Sequence, residues 1–274
     1  MNERPSIDGS ELGDEPIATG RTAEVFAVSG GRVVKLLRPG SRRSVGEAEA
    51  AKTRAARATG APAPEVLGTV DIDGRHGIVF EHVEGDSLID EIVFEPLRLT
   101  SFAKVFVDVH QQILSSDSED LPLVTDVLRR KIRAADLPAA TRNAAIEVVA
   151  AAPDGSAVLH GDYHPGNVIM APPGPVVIDW VDAARGPASA DVARTLLLLS
   201  TATIGEGKPN RRMVSALQGA FRRSYAKRIR RAVGIHPKVL DAWRLPMAAA
   251  RLSEGLPAAE EDVLRAQLEK WAGG

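Results

Sequence analysis

The spacing of apolar residues divides the chain into a β-rich beginning and an α-rich remainder. From Ile17 onward the early pattern is that of strands. Val25 to Val28 and Arg32 to Leu37 flank Ser29-Gly30-Gly31, which predicts a short hairpin turn. Val66 to Ile72 and Gly77 to Val83 flank Asp73-Gly74, a second hairpin signal. Between the two pairs, Ser41 to Thr59 is rich in Ala, Glu, Lys and Arg and runs into Gly60, so it reads as a helix with a glycine stop. After Gly85 the period changes: Leu99, Phe102, Phe106, Val109 and Ile113 recur at helical spacing. Pro138 is expected at the first position of a helix ending near Ala151. Ala190 to Ser200, Arg211 to Arg231, Pro237 to Trp243 and Pro257 to Trp271 also read as helices. The pattern predicts an α+β chain. Residues 1–14 are expected to form a flexible tail, residues 15–84 a small antiparallel sheet with one helix, and residues 85–274 a larger, mainly α lobe. The boundary falls near Glu84 to Asp86.

Composition narrows the function classes. At 274 residues the chain can hold two modest lobes, and 44% hydrophobic residues suffice for their cores. A formal net charge of −2 sets up no field toward nucleic acid or membrane. Aromatics, at 4%, are too few for a base-stacking platform. The absence of cysteine excludes disulfides and thiolate metal sites. No stretch approaches the roughly 18 apolar residues of a membrane span, and the polar start has no signal-type core. The expectation is a cytoplasmic protein with no nucleic-acid, membrane or obligate protein partner.

The chemistry concentrates in His160-Gly161-Asp162-Tyr163-His164-Pro165-Gly166-Asn167, followed by Ile178-Asp179-Trp180. Short apolar runs at Val158–Leu159, Val168–Met170 and Val176–Ile178 predict small buried strands with the polar groups gathered at one end. Two carboxylates and one amide in that order suit a magnesium-bound nucleotide and a general base. Taken singly, Asp162, Asn167 and Asp179 are ordinary turn formers. A second reading is a metal-dependent hydrolase: His160, Asp162 and His164 alternate, and an extended segment would put all three on one side.

The spacing matches the protein-kinase pattern H-R-D, four residues, Asn, then D-F-G, with Gly161 in place of Arg and Trp180 in place of Phe. In the form H-G-D-x-H-P-x-N with I-D-W it closely resembles the aminoglycoside phosphotransferase family, small-molecule kinases of protein-kinase-like two-lobe fold. The resemblance covers most of the chain from about Ile17. It implies Asp162 as catalytic base, Asn167 and Asp179 as magnesium ligands, and Asp191 as an anchor of the catalytic-loop backbone. His160 is expected to be a buried, hydrogen-bonded support, and His164 has no assigned role. Lys35, inside the strand Val33 to Leu37, resembles the lysine that reaches the nucleotide phosphates. Its family-like partner is Glu49, with Glu47 the alternative. Glu81 and Val83, at the lobe boundary, resemble the backbone positions that pair with adenine. Aligning Val25 with the valine of the kinase glycine-rich loop puts Ala18, Gly20 and Ala23 at the glycine positions, so only Gly20 survives. That depletion motivates another reading, a nucleotide-binding regulator without catalysis.

The acceptor is less legible. Only twelve positions separate Asp179 from Asp191, too few for a peptide platform, which favours a small-molecule alcohol over a protein. ATP, or GTP, with Mg²⁺ is the implied donor. Glu254, Glu260, Glu261 and Asp262 offer acidic groups for a cationic substrate, but Glu260 and Glu261 follow Pro257 and also serve a helix N-terminus. Arg211 to Arg231 holds eight Lys or Arg. Met213, Leu217, Phe221, Tyr225 and Ile229 form its apolar stripe, so the cations read as a solvated face. Low aromatic content argues against an aromatic cage for a quaternary amine.

Overall fold

Strands β1 (Ala18–Thr19), β2 (Ala23–Val28) and β3 (Arg32–Leu37) lead into helix α1 (Arg43–Ala58). β4 (Val66–Ile72) and β5 (Arg75–Glu81) complete an antiparallel sheet of order β1-β2-β3-β5-β4. The structure, a computed structural model, describes residues 7, 9–201 and 211–272; at 211–213 and 272 only the backbone is described. Both predicted turns form with left-handed backbone, Gly30 and Gly31 at φ 76° and 65°, Asp73 and Gly74 at 49° and 75°. Two such residues in a row match the twist of the flanking strands. Of the expected tail, residues 1–6 and 8 lie outside the described residues. Within it, Ile7 is buried with Val28, Val34 and Ile72, and Gly9–Glu11 forms a 3-10 turn.

The chain crosses to the second lobe through Gly85, whose φ is 146° and where a Cβ would stand 2.7 Å from the Met170 carbonyl oxygen. A side chain there would collide with the backbone at Met170 and Ala171, so the crossover requires glycine. Beyond it come α2 (Leu88–Phe94), α3 (Leu99–Leu114), α4 (Val124–Ala134) and α5 (Ala139–Ala150). Four short strands follow: β6 (Ala157–Leu159), β7 (Val168–Ile169), β8 (Val176–Val177) and β9 (Ala184–Gly186). α6 (Ala188–Thr201), α7 (Arg211–Ala232), α8 (Pro237–Ala242), α9 (Arg244–Arg251) and α10 (Ala258–Ala272) finish the lobe. The expected α+β two-lobe architecture is the one observed. Among the described residues no helix is long and apolar enough to cross a membrane.

Three helices escaped the periodicity reading. α4 buries Val124, Val127, Leu128 and Ile132, a helical spacing plain in retrospect. α2 is capped by Ser87, whose hydroxyl accepts from the Asp90 amide, and α9 is an Ala-rich turn buried from Pro246 to Arg251. Pro138 is the residue before α5 rather than its first. In α7, Phe221, Tyr225 and Ile229 are buried as the stripe predicted, while the Met213 side chain lies outside the described residues. β6 pairs with β9 and β7 with β8, both antiparallel. The loop from His160 to Asn167 is therefore slung between two separate two-stranded ribbons.

Candidate active site

Lys35 is held in β3 by pairing on both sides, with Val25 across to β2 and Ile78 across to β5. Its Nζ lies 2.6 Å from Glu49 Oε1 and 3.0 Å from Asp179 Oδ1. Glu49 is 2% exposed on the inward face of α1, whereas Glu47 is exposed and pairs with Arg43 at 3.0 Å. The geometry thus separates the two candidates: Glu49 takes the lysine. Burial works against the Lys35 charge, but the two carboxylates outweigh it and raise its pKa. One cation consequently ties the first lobe to Asp179 of the second. Asp179 itself adopts φ 66°, an uncommon conformation for a residue with a side chain, though one Asp tolerates.

The catalytic loop is fixed from below. Asp191, 2% exposed in the first turn of α6, accepts from the backbone N–H of His160 and of Gly161, each at 2.8 Å, and contacts His110 Nε2 at 3.1 Å. Burial would push this carboxyl up, but its partners, His110 first, hold its pKa below the ordinary value. His160 is buried with both ring nitrogens in use, Nε2 3.0 Å from the Ile178 carbonyl and Nδ1 accepting from the Asp162 amide at 3.2 Å. It packs on Trp180, itself buried, whose Nε1 donates to the Val177 carbonyl at 2.7 Å. Gly161 has φ 80°, and a Cβ there would sit 2.4 Å from the Asp182 carbonyl oxygen. Glycine at the position where protein kinases carry Arg is thus enforced by contact with the turn after Asp179.

These facts remove the metal-hydrolase arrangement. The left-handed Gly161 breaks the extended run, and the His160 nitrogens are already committed. Among the described residues no group of three or more His, Asp or Glu is placed to hold a metal ion.

Asp162 faces the cleft, its side chain 31% exposed. Arg194 Nη2 stands 3.7 Å from its Oδ1 and His164 Nε2 3.7 Å from its Oδ2, contacts longer than a formed hydrogen bond. Burial alone would raise its pKa; the His164 ring and the Arg194 guanidinium overcome that and hold the carboxyl far below its usual range. His164 also has a structural use: its Nδ1 accepts from the Gly166 amide at 3.1 Å, capping the 3-10 turn Pro165–Asn167. Asn167 Nδ2 donates to the Asp162 carbonyl oxygen at 3.0 Å, which leaves the amide oxygen for another partner.

Glu81 serves the sheet: its carboxylate accepts from the Glu65 amide at 2.8 Å and pairs with Arg57 at 3.2 Å, and its own amide donates to the Glu65 carbonyl. Gly20 opens the β1–β2 turn with its amide on the Ala23 carbonyl at 2.9 Å. A cleft of about 640 Å³ contains Asp162, Asp179, His164 and Arg21 in its lining. Lys35, Glu49, Gly20, Glu81, Val83 and Asn167 lie outside that lining.

A profile of the Phosphotransferase enzyme family matches residues 14–228. The chain belongs to this family. Solved structures give the same fold. Aminoglycoside phosphotransferase APH(4)-Ia aligns with a TM-score of 0.67 at 16% identity, covering 96% of this chain and 92% of its own. The streptomycin-ATP-APH(2")-IIa ternary complex aligns with a TM-score of 0.59 at 14% identity, covering 95% and 91%. Aminoglycoside-3'-phosphotransferase of type VIII gives 0.57 at 20%, covering 88% and 94%. No curated protein matches the chain.

Sequence reasoning missed one group of residues in this phosphotransferase. Arg194, three positions after Asp191 and 5% exposed, donates from Nε to the Gly161 carbonyl at 3.0 Å and from Nη2 to both carboxylate oxygens of Glu254 at 2.8 Å. Lys131 of α4 bridges Asp182 at 2.7 Å and Glu254 at 2.9 Å. Arg251 pairs with Glu254 at 3.1 Å and also with Glu260. The available signal was Arg194 on the first turns of the Asp191 helix, one helical step behind the catalytic loop.

Proposed function

We propose that this phosphotransferase moves the γ-phosphoryl group of ATP, with GTP as the alternative donor, to the hydroxyl of a small molecule. The observation that carries this reading is Lys35 Nζ, 2.6 Å from Glu49 and 3.0 Å from Asp179, with Asp179 and the ionised Asp162 lining one cleft. Phosphoryl transfer asks the protein for positioning and charge stabilisation rather than covalent chemistry. A lysine locked between two carboxylates is a positioned cation for phosphate oxygens. Solved complexes of APH(4)-Ia with AMP-PNP and hygromycin B share this fold and support the nucleotide assignment.

Asp162 is ionised at any physiological pH, so it orients the acceptor hydroxyl at once. The hydroxyl oxygen forms the new bond to phosphorus as the bond to the nucleoside diphosphate breaks, and the hydroxyl proton passes to the Asp162 carboxylate. Asn167 holds the Asp162 carbonyl and Arg194 the neighbouring Gly161 carbonyl, so both fix the backbone that carries the base. Asn167 Oδ1 and the Asp179 oxygen not taken by Lys35 are hard oxygen donors, the set Mg²⁺ takes alongside phosphate oxygens and water. A metal there would neutralise charge developing on the phosphates. We assign Gly20 and its neighbours Arg21 and Thr22 to the phosphate-covering loop, and Glu81 and Val83 to the adenine edge. The amide of Val83, which has no hydrogen-bond partner among the described residues, is the available donor there.

The acceptor is small because the stretch from Asp179 to Asp191 is fully used. A 3-10 turn over Trp180–Asp182, then β9 and the start of α6, occupy it and leave no peptide platform. Asp162→Asn tests the mechanism by coupled measurement of acceptor-dependent ADP release and of AMP-PNP binding. Removal of a general base costs about 10²–10⁴-fold in turnover. Loss of that size with nucleotide binding intact is expected; turnover within a few-fold of wild type would sink the proposal.

A further inference from the structure

Among the described residues the acceptor side of the cleft has an apolar wall, and its carboxylates are paired with cations of the protein. α2 contributes Ile92 and Val93, α6 contributes Leu198, and α7 contributes Leu217 and Phe221. Val93 is 57% exposed, so apolar surface continues from the cleft to its lip. Besides Asp162 and Asp179, the described lining holds three carboxylates: Asp182, Glu254 and Glu260. Each has a cation of the protein as partner. Asp182 has Lys131 at 2.7 Å, Glu254 has Arg194, Lys131 and Arg251 at 2.8, 2.9 and 3.1 Å, and Glu260 has Arg251. Arg21 adds a further positive charge, bonded to the carbonyls of Glu254 and Gly255 at 3.0 and 2.9 Å.

A polycationic sugar needs carboxylates free to receive its ammonium groups. Here those carboxylates are largely shielded and already paired, and drawing one away would leave its own cation without a partner. Stripping a partner from a buried ion pair costs more than the pair itself contributes. An apolar ligand body meets no such cost, and a pocket of this size lies in the range that holds drug-sized molecules. We infer that the acceptor is an alcohol with an apolar body and no cluster of positive charges, seated against the α2–α6–α7 wall with its hydroxyl toward Asp162. This rests on the phosphotransfer reading of the cleft given above.

Calorimetry on the full chain with Mg-AMP-PNP bound tests it with two probes. One is octyl glucoside, an uncharged sugar alcohol with an apolar tail; the other is kanamycin, a polycationic aminoglycoside. Octyl glucoside is expected to bind at least about tenfold more tightly. Val93→Asp, at an exposed position, and Leu217→Asp, on the half-buried wall, each place an unpaired carboxylate there. Each should weaken octyl glucoside about tenfold, the order of effect of losing one buried aliphatic contact, and strengthen kanamycin. Kanamycin binding as tightly as octyl glucoside overturns the inference. So does binding of neither probe, or octyl glucoside binding that both variants leave unchanged. Titration of AMP-PNP into wild type and Lys35→Ala separates the two levels. AMP-PNP binding that depends on Lys35 keeps the phosphotransfer reading when the acceptor inference fails, and absence of AMP-PNP binding sinks that reading itself.

Discussion

Asp191→Ala removes the acceptor on which the catalytic loop hangs. In the wild-type chain Asp191 takes the amides of His160 and Gly161 at 2.8 Å each and meets His110 Nε2 at 3.1 Å. His160, His110 and Asp191 are all buried, so water does not replace the lost acceptor without the loop opening. A buried donor left without a partner costs about 1–3 kcal/mol. Two backbone amides therefore cost about 2–6 kcal/mol, partly offset because a buried charge is also removed; we expect about 2–5 kcal/mol. With a urea slope of about 2–3 kcal/mol/M for a chain of this size, the unfolding midpoint falls by roughly 1–2 M. Tryptophan fluorescence reports it directly, since buried Trp180 packs on His160. The pH dependence gives a second handle. The folded-state pKa of Asp191 is depressed, so its contribution is complete above the unfolded carboxylate value near 4 and is lost as pH falls through the folded value. The midpoint of Asp191→Ala should accordingly depend less on pH in the acid range than that of wild type. An unchanged urea midpoint in Asp191→Ala would refute the anchoring argument.

Other substitutions probe the same framework. Gly161→Ala forces a Cβ to 2.4 Å from the Asp182 carbonyl in a left-handed conformation; we expect about 1–3 kcal/mol of destabilisation, and thermal denaturation with no change would contradict it. Glu49→Gln leaves Lys35 with Asp179 as its remaining carboxylate partner, so AMP-PNP affinity should drop while the exposed Glu47→Gln does not alter it. Because Asp162 is held well below the ordinary carboxylate range, its protonation gives no acid limb in kcat between pH 8 and about pH 5; a limb in that interval that vanishes in Asp162→Asn would oppose the assignment.

The order of the residues proposed for catalysis is readable in the sequence because phosphoryl transfer asks for fixed residue types and spacings along a single loop. Asp162, Asn167 and Asp179 fall within eighteen positions of sequence, and short strands force them together. The choice between Glu47 and Glu49 was not legible, since the face of α1 turned toward β3 depends on packing. Arg194 was invisible for another reason. Its partners Glu254 and Gly161 lie far away in sequence in both directions, and no local pattern marks a buried ion pair. Glu254 shows the same limit from the other side: its sequence context offers an acidic group for a cationic substrate, and its three cationic partners are visible only in the fold.

The buried network also ties the chemistry to the acceptor wall. Arg194 touches the Gly161 carbonyl, Asp162 and Glu254, while Glu254 gathers Lys131 and Arg251, so the base and the far side of the cleft share one guanidinium. Neutralising Glu254 in Glu254→Gln leaves three cations converging on an uncharged group, a loss we place at about 2–4 kcal/mol by the cost of breaking a buried pair. The same change releases Arg194 toward Asp162, the nearest other carboxylate. Turnover should then fall more than acceptor affinity, because a base paired closely to a guanidinium is a weaker proton acceptor. Arg194→Met has the opposite sign at Asp162, raising its pKa toward the ordinary value near 4, so any acid limb in the pH–rate profile moves up toward pH 4 and stays below about pH 5. Parallel losses of kcat and stability without any shift of that profile in either variant would reduce Arg194 to a purely structural cross-brace.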